Sequence, residues 1–217
     1  MVVHGGPCRW RMARIVVTGS IARNRFLAAK FERISPQETG RTASGYRAKC
    51  GLTQETPMTY RISGLDPDLF NNYRHKSDDE LAHLHARRVV ADEEHSYPCR
   101  ISLTDAKVGD TLILLNFEHL PLDSPYRSRH AIYINEASHA RAVSDNTAPA
   151  QQQRRLLSVR GFDAAGMIMD AEVVEGIALE DEIARQFSNP EIRFLHLHNA
   201  RRGCYAARVD RLDSLQT

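Results

Sequence analysis

From Tyr60 onward, hydrophobic and polar positions fall into short regular runs. Tyr60-Arg61-Ile62-Ser63-Gly64-Leu65 alternates and predicts a strand. Asp66-Pro67 supplies an N-cap with proline in the first turn, ahead of Leu69, Phe70 and Tyr73 on one helical face. Ser77 with Glu80 forms a capping box that opens a helix through Leu81 and Leu84. Val89-Val90 is a short strand, and Cys99 to Leu103 alternates and predicts another. Val108-Gly109-Asp110 is a turn. Thr111 to Phe117 is apolar without alternation, which predicts a central strand buried on both faces. Residues 118–129 read as a polar loop leading to a strand from His130 to Ile134.

The second half repeats these signals. Residues 144–153 read as a loop. Leu156 to Phe162 and Met167 to Val174 are strands joined across Asp163-Ala164-Ala165-Gly166, a hairpin signal. Leu179, Ile183, Ala184 and Phe187 define an amphipathic helix ending before Asn189-Pro190. Ile192 to His198 and Cys204 to Val209 form a terminal hairpin across residues 199–203. Strands grouped around a few helices, rather than strict βαβ alternation, predict a single α+β domain over 58–217 with a mostly antiparallel sheet. About 160 residues suffice for one core without disulfide or metal staples.

Charge separates the first 57 residues from the rest. They carry 10 Lys/Arg against 3 Asp/Glu, whereas 58–217 carry 19 against 24. We expect residues 1–57 to be a disordered basic tail, or an artefactual extension with translation starting at Met58. Within it, Phe26, Leu27, Phe31 and Ile34 recur at helical spacing. Ile15 to Ser20 has only a fragment of a dinucleotide-binding fingerprint. No run of 18 apolar residues exists, so no transmembrane helix is expected. No secretory signal is evident, which predicts a cytoplasmic protein with reduced thiols at Cys8, Cys50, Cys99 and Cys204. The acidic balance of 58–217 disfavours nucleic acid as its partner.

The terminal hairpin carries the most chemistry. Alternation puts Phe194, His196 and His198 on one face. With a five-residue loop, His198 lies opposite Cys204 and His196 opposite Ala206, so two imidazoles and a thiol share a face. A one-residue slip would separate them. Three readings stay open. His196, His198 and Cys204 could be part of a transition-metal site, zinc by ligand softness, completed by His119 or His130. His198 could activate Cys204 as a nucleophile. Or Cys204 is a small buried hydrophobe beside satisfied histidines.

The 118–130 segment is the second constellation. His119 or His130 could serve as the proton carrier, and Arg127 as anchor for a small anionic ligand with Asp123 nearby. The alternative is a capped turn held by Asp123-Ser124-Pro125 with its charges solvated. Cys99, held at a strand entry by Pro98, is a further candidate contact. His83, His85, His95 and His139 sit in polar surroundings and read as surface residues.

The phrases YRISGLDP (60–67), ARRVVADE (86–93), YPCRISL (97–103), SPYRSRHAIYI (124–134), LLSVRGFDAAGMI (156–168) and HLHNARRGCYAARVDR (196–211) together resemble the domain-of-unknown-function 1203 family. The resemblance covers about 58–217. It implies a small, soluble, bacterial single-domain protein and adds support for a start at Met58. It brings no activity, substrate or cofactor, and transfers no functional residue. Two function classes follow. One is a small-molecule enzyme or binder whose pocket joins the 118–130 loop to the 192–209 hairpin, with His119, His130, Cys204 and His198 catalytic and Arg127, Asp123 and Cys99 contacting ligand. The other is a non-catalytic interaction module.

Overall fold

The computed structural model describes residues 59–212, and two antiparallel sheets form its frame. The larger is built from β1 (Tyr60–Ser63), β5 (Val143–Asp145), β6 (Leu156–Phe162), β7 (Ile168–Glu175), β8 (Phe194–Asn199) and β9 (Tyr205–Arg211). Their order is β5-β1-β9-β8-β6-β7. The smaller holds β2 (Arg87–Val90), β3 (Thr111–Leu120) and β4 (Ser128–Asn135), with β3 in the middle. Three short helices, α1 (Asp78–His83), α2 (Ala150–Gln153) and α3 (Leu179–Phe187), complete an α+β fold. The expectations for residues 1–57, including the start at Met58, lie outside the described residues.

Period-2 alternation decides what each face of the large sheet buries. Leu157 and Val159 of β6, Leu195 and Leu197 of β8, and Ala207 and Val209 of β9 point to one side. There they meet Leu179, Ile183 and Phe187, spaced four apart on α3. Burial of each such side chain stabilises by roughly 1.5–3 kcal/mol. Gly161 permits the approach of α3, since a Cβ there would sit 2.5 Å from Gln186 Oε1 and 2.9 Å from Ile192 Cδ1. Ala184, expected on the buried stripe, is exposed; Glu182 and Gln186 are buried instead, hydrogen-bonded to one another at 2.7 Å.

The inner face of the small sheet carries Ile113 and Leu115 of β3 with Ile132 and Ile134 of β4. It packs on Phe70, Leu81, Ile101 and Tyr205. The Ser77–Glu80 capping box is present and places Leu81 in this core. Asp66 caps a 3-10 turn, Pro67–Phe70.

Several expected elements differ. Cys99 to Leu103 is not a strand: only single bridges join Pro98 to Asp105 and Cys99 to Tyr133. Its carbonyls instead bond the backbone of scattered segments, Arg100 O to Leu65 N and Ile101 O to Ala142 N. Leu103 adopts φ 52°, so the alternation there reports burial of Cys99, Ile101 and Leu103, not a ladder. β3 runs on to Leu120, so 118–120 are strand rather than loop, and Asn116 is exposed. Val143–Asp145 and α2 lie in or beside the expected 144–153 loop. Burial of Gln151 and Gln152 holds that short helix in place.

Candidate functional site

The other face of the large sheet is polar where it meets the small one. Its side chains form cross-strand rows: Phe162 opposite Phe194, Arg160 opposite His196, and Ser158 opposite His198. The two phenylalanine rings stack, with centroids 5.2 Å apart. His196 and His198 are 1% and 0% exposed, which is unusual for residues of this polarity.

Two further histidines arrive from the small sheet. His130 pairs with Phe117 across β3 and β4 and shares its face. His119 sits at a β-bulge: Glu118 opposes Arg129, then Leu120 opposes Ser128, leaving His119 as the extra residue. The bulge lets two successive residues bury together. Leu120 packs on Phe162 and Phe194, while the His119 ring lies 4.9 Å from Tyr205, stacked on it.

The rings are linked by short polar contacts. His119 Nε2 lies 2.7 Å from His130 Nδ1, and His119 Nδ1 lies 3.4 Å from His196 Nδ1. Ser128 Oγ is 3.3 Å from His119 Nε2. His198 Nδ1 donates to Gly203 O at 2.9 Å, since a carbonyl can only accept. In a neutral ring that fixes the tautomer and leaves His198 Nε2 as a bare lone pair. This atom is buried and has no hydrogen-bond partner.

Burial sets the protonation state. It pushes His119 down to about 4, helped by repulsion from His130 and Arg160. It pushes His198 to about 3, again helped by Arg160, with the Gly203 hydrogen bond acting against it. His196 is driven well below its ordinary range and His130 is lowered, in both cases first by burial. At neutral pH the cluster is therefore uncharged and rich in lone pairs.

His119, His130 and His198 each offer a nitrogen, and the three lie within 4.8 Å of one another. A tetrahedral zinc with bonds of about 2.1 Å needs ligand nitrogens about 3.4 Å apart. Holding an ion at that spacing would mean giving up the 2.7 Å His119–His130 hydrogen bond. The backbone carbonyl behind His198 is the outer partner a metal-bound imidazole requires. A cleft of about 300 Å³ opens onto these residues, with Arg127, Tyr126 and Arg160 also on its wall.

The hairpin register differs from expectation. Asn199 and Cys204 close a four-residue loop, with Asn199 N donating to Cys204 O at 2.9 Å and Gly203 at φ 73°. His198 therefore opposes Tyr205, not Cys204. A bulge at Ala206 then sets His196 opposite Arg208, not Ala206. The slip sends Cys204 to the Asn199 side, where both line a separate cavity. Tyr205 takes the place expected of the thiol.

The remaining candidates scatter. Arg127 reaches the cleft wall but is bound to Glu118 at 2.7 Å. Asp123 is exposed and Cys99 is buried in the core of the small sheet; neither lines the cleft. Cys99 Sγ accepts from Asn135 N at 3.3 Å and donates to Ser138 Oγ at 3.6 Å. His83, His85, His95 and His139 are exposed. Arg160 and Tyr205 were not singled out from sequence. Alternation along Leu157 and Val159 puts Arg160 on the polar face, but only the β6–β8 pairing brings it to His196.

Fold and site define an α+β protein in which two antiparallel sheets enclose a cluster of four histidines beside a small cleft. Residues 96–211, more than half of the chain, match the family model described as "Protein of unknown function (DUF1203)", and the chain belongs to that family. No curated protein and no solved structure matches it. Among the described residues, no helix is long and apolar enough to cross a membrane.

Proposed function

We propose that this protein is a small-molecule enzyme or binder whose site is the histidine cleft, with His119, His130 and His198 holding a divalent transition metal ion. One observation carries the reading: three neutral imidazoles converge, one of them with Nδ1 fixed on a backbone carbonyl and a buried, unpartnered Nε2 facing the cluster. A polar atom so placed costs about 1–3 kcal/mol without a partner, and a metal ion supplies one. Three histidine ligands with a free position suit zinc that activates water or polarises a bound oxygen. His196 steadies His119 from behind, and Arg127 at the cleft wall suits an anionic group on the ligand. Cys204, Cys99 and Asp123 have no part in it.

A second reading has its own support. The 2.7 Å contact between His119 and His130 is a good hydrogen bond, and an imidazole pair can move a proton without metal.

The test is zinc and cobalt binding to the full chain after chelator treatment, followed by calorimetry and cobalt absorption, with elemental analysis of the untreated protein. The expected result is one equivalent bound in a tetrahedral cobalt spectrum, lost in both His198→Ala and His130→Ala. His130 is only half-buried, so its variant is the safer for folding. Metal retained by both variants lies elsewhere in the chain, and no metal at all leaves the imidazole pair as the reading.

A further inference from the structure

A cavity of about 670 Å³ lies apart from the histidine cleft and is more than twice its volume. It lies between the Arg87–Leu114–Tyr133 row of the small sheet and the ends of β6, β7 and β8. Six arginines line it: Arg87, Arg100, Arg154, Arg155, Arg201 and Arg202. Glu175 is the one carboxylate in that lining. Asp105, behind the wall, neutralises part of the charge on Arg154 and Arg155 at 3.3 and 2.7 Å. Among the described residues, the other four form no ion pair. The cavity is thus strongly cationic inside a region whose overall balance is acidic.

Arg100 is the decisive residue. Its side chain is 2% exposed, one of the largest fully buried in the protein. Nε donates to Tyr205 O at 2.5 Å and Nη1 to Pro98 O at 2.7 Å, which leaves Nη2 without a protein partner. Burial pulls its pKa down to about 10, yet it stays charged at neutral pH. An interior guanidinium without a carboxylate is costly, and such groups are ordinarily paired. Here it lines a cavity that five more guanidinium groups share. A planar guanidinium fork matches the oxygens of a phosphate in bidentate fashion. The same cavity has an apolar wall in Leu114, Leu156, Pro98 and the Tyr133 ring, and its volume is in the range of sites for organic ligands.

We propose that this cavity binds a small organic anion through a phosphate or diphosphate group. Arg100, Arg201 and Arg202 hold the anion, and Leu114, Leu156 and Tyr133 face its organic body. The inference is independent of the histidine reading, so either can fail alone.

The test is calorimetric titration of the full chain with inorganic pyrophosphate and with adenosine diphosphate, at constant ionic strength. The principal variant is the double substitution Arg201→Glu, Arg202→Glu, because both side chains are exposed in the β8–β9 loop and the fold does not depend on them. Expected is saturable one-to-one binding of both probes, weakened about tenfold or more in that variant with the melting temperature unchanged. His130→Ala should bind both probes as the parent does. Cys204 gives a second readout, since it lines the cavity whereas Cys99 is buried. Alkylation of Cys204, followed by peptide mass spectrometry, should slow when pyrophosphate is present. Absence of saturable binding of either probe overturns the proposal. So does binding unchanged in the double variant, or saturable binding of an RNA oligonucleotide alone.

Discussion

The strands and the loop end of the β8–β9 hairpin have opposite solutions to the same problem. On one face His196, His198 and Tyr205 are sealed between sheets, with His119 and His130 against them. Those groups respond to burial by giving up charge, because an imidazole can stay neutral. At the loop end lie Asn199, Arg201, Arg202 and Cys204, with Arg100 lining the same cavity. A guanidinium cannot neutralise itself at physiological pH, so that end keeps its charge. The neutral face is suited to donating lone pairs to a cation; the charged end is suited to donating hydrogen bonds to an anion. Gly203, whose carbonyl holds His198 while its neighbours line the cavity, sits at the join.

The largest effect expected is on metal affinity. His198→Ala removes a ligand whose tautomer is already fixed, so zinc affinity should fall about 100-fold or more, read by chelator competition. Pyrophosphate binding should hardly move. Loss of both together would mean that the hairpin, not the site, had been damaged.

Acid is next. His119 and His198 are held near 4 and 3 by burial, whereas in the unfolded chain they titrate near 6.5. Between those values the unfolded chain binds protons that the native protein refuses. The stability they confer is full above pH 6.5 and is lost as pH falls toward 4, at about 1.4 kcal/mol per pH unit for each histidine that stays neutral. Denaturant titrations of metal-free protein at pH 7.5, 6 and 5 should show this slope. Stability flat across that range would mean the rings are wetter than the structure has them.

Most of the fold was legible in the chain, and for a definite reason. Capping at Ser77, the alternation in β6 and the four-residue spacing in α3 are local signals, and each produced its element. The candidate site was legible only in its membership. His119, His130, His196 and His198 could be picked out as titratable groups, but their meeting depends on sheet-on-sheet packing, which no local pattern encodes. The Cys204 expectation turned on whether Asn199 belongs to the loop or closes it. Gly203 was the available signal, since a left-handed glycine before the returning strand suits a tight loop. The bulge at His119 had no signal at all, because Glu118-His119-Leu120 reads equally well as a loop start.

Salt should divide the two regions with a smaller but cleaner effect. Raising sodium chloride from about 50 to 500 mM shortens the screening length several-fold, and pyrophosphate affinity should fall about tenfold. Zinc binding to neutral imidazoles should change by less than about threefold, because no charge on the ligands is screened. Equal salt sensitivity of the two would break the distinction between a neutral and a charged region.

The smallest effect concerns Arg127, the one guanidinium at the histidine cleft that has a carboxylate. Its side chain is 56% exposed and its partner Glu118 is 29% exposed. Solvent screens such a pair, so Arg127→Ala should leave the midpoint of thermal unfolding almost unchanged. The hydrogen bond from Arg127 holds Glu118 below the usual carboxylate range, so removing it should let the Glu118 carboxyl titrate at higher pH, visible by NMR. Zinc affinity should be unchanged, since Arg127 touches none of the three ligand rings. If Arg127 anchors an anionic ligand, its loss will appear only in binding of that ligand beside the metal. A large drop in zinc affinity in Arg127→Ala would instead mean that the Glu118–Arg127 pair sets the geometry of the bulge. His119 would then owe its position to the surface rather than to Tyr205 and the core.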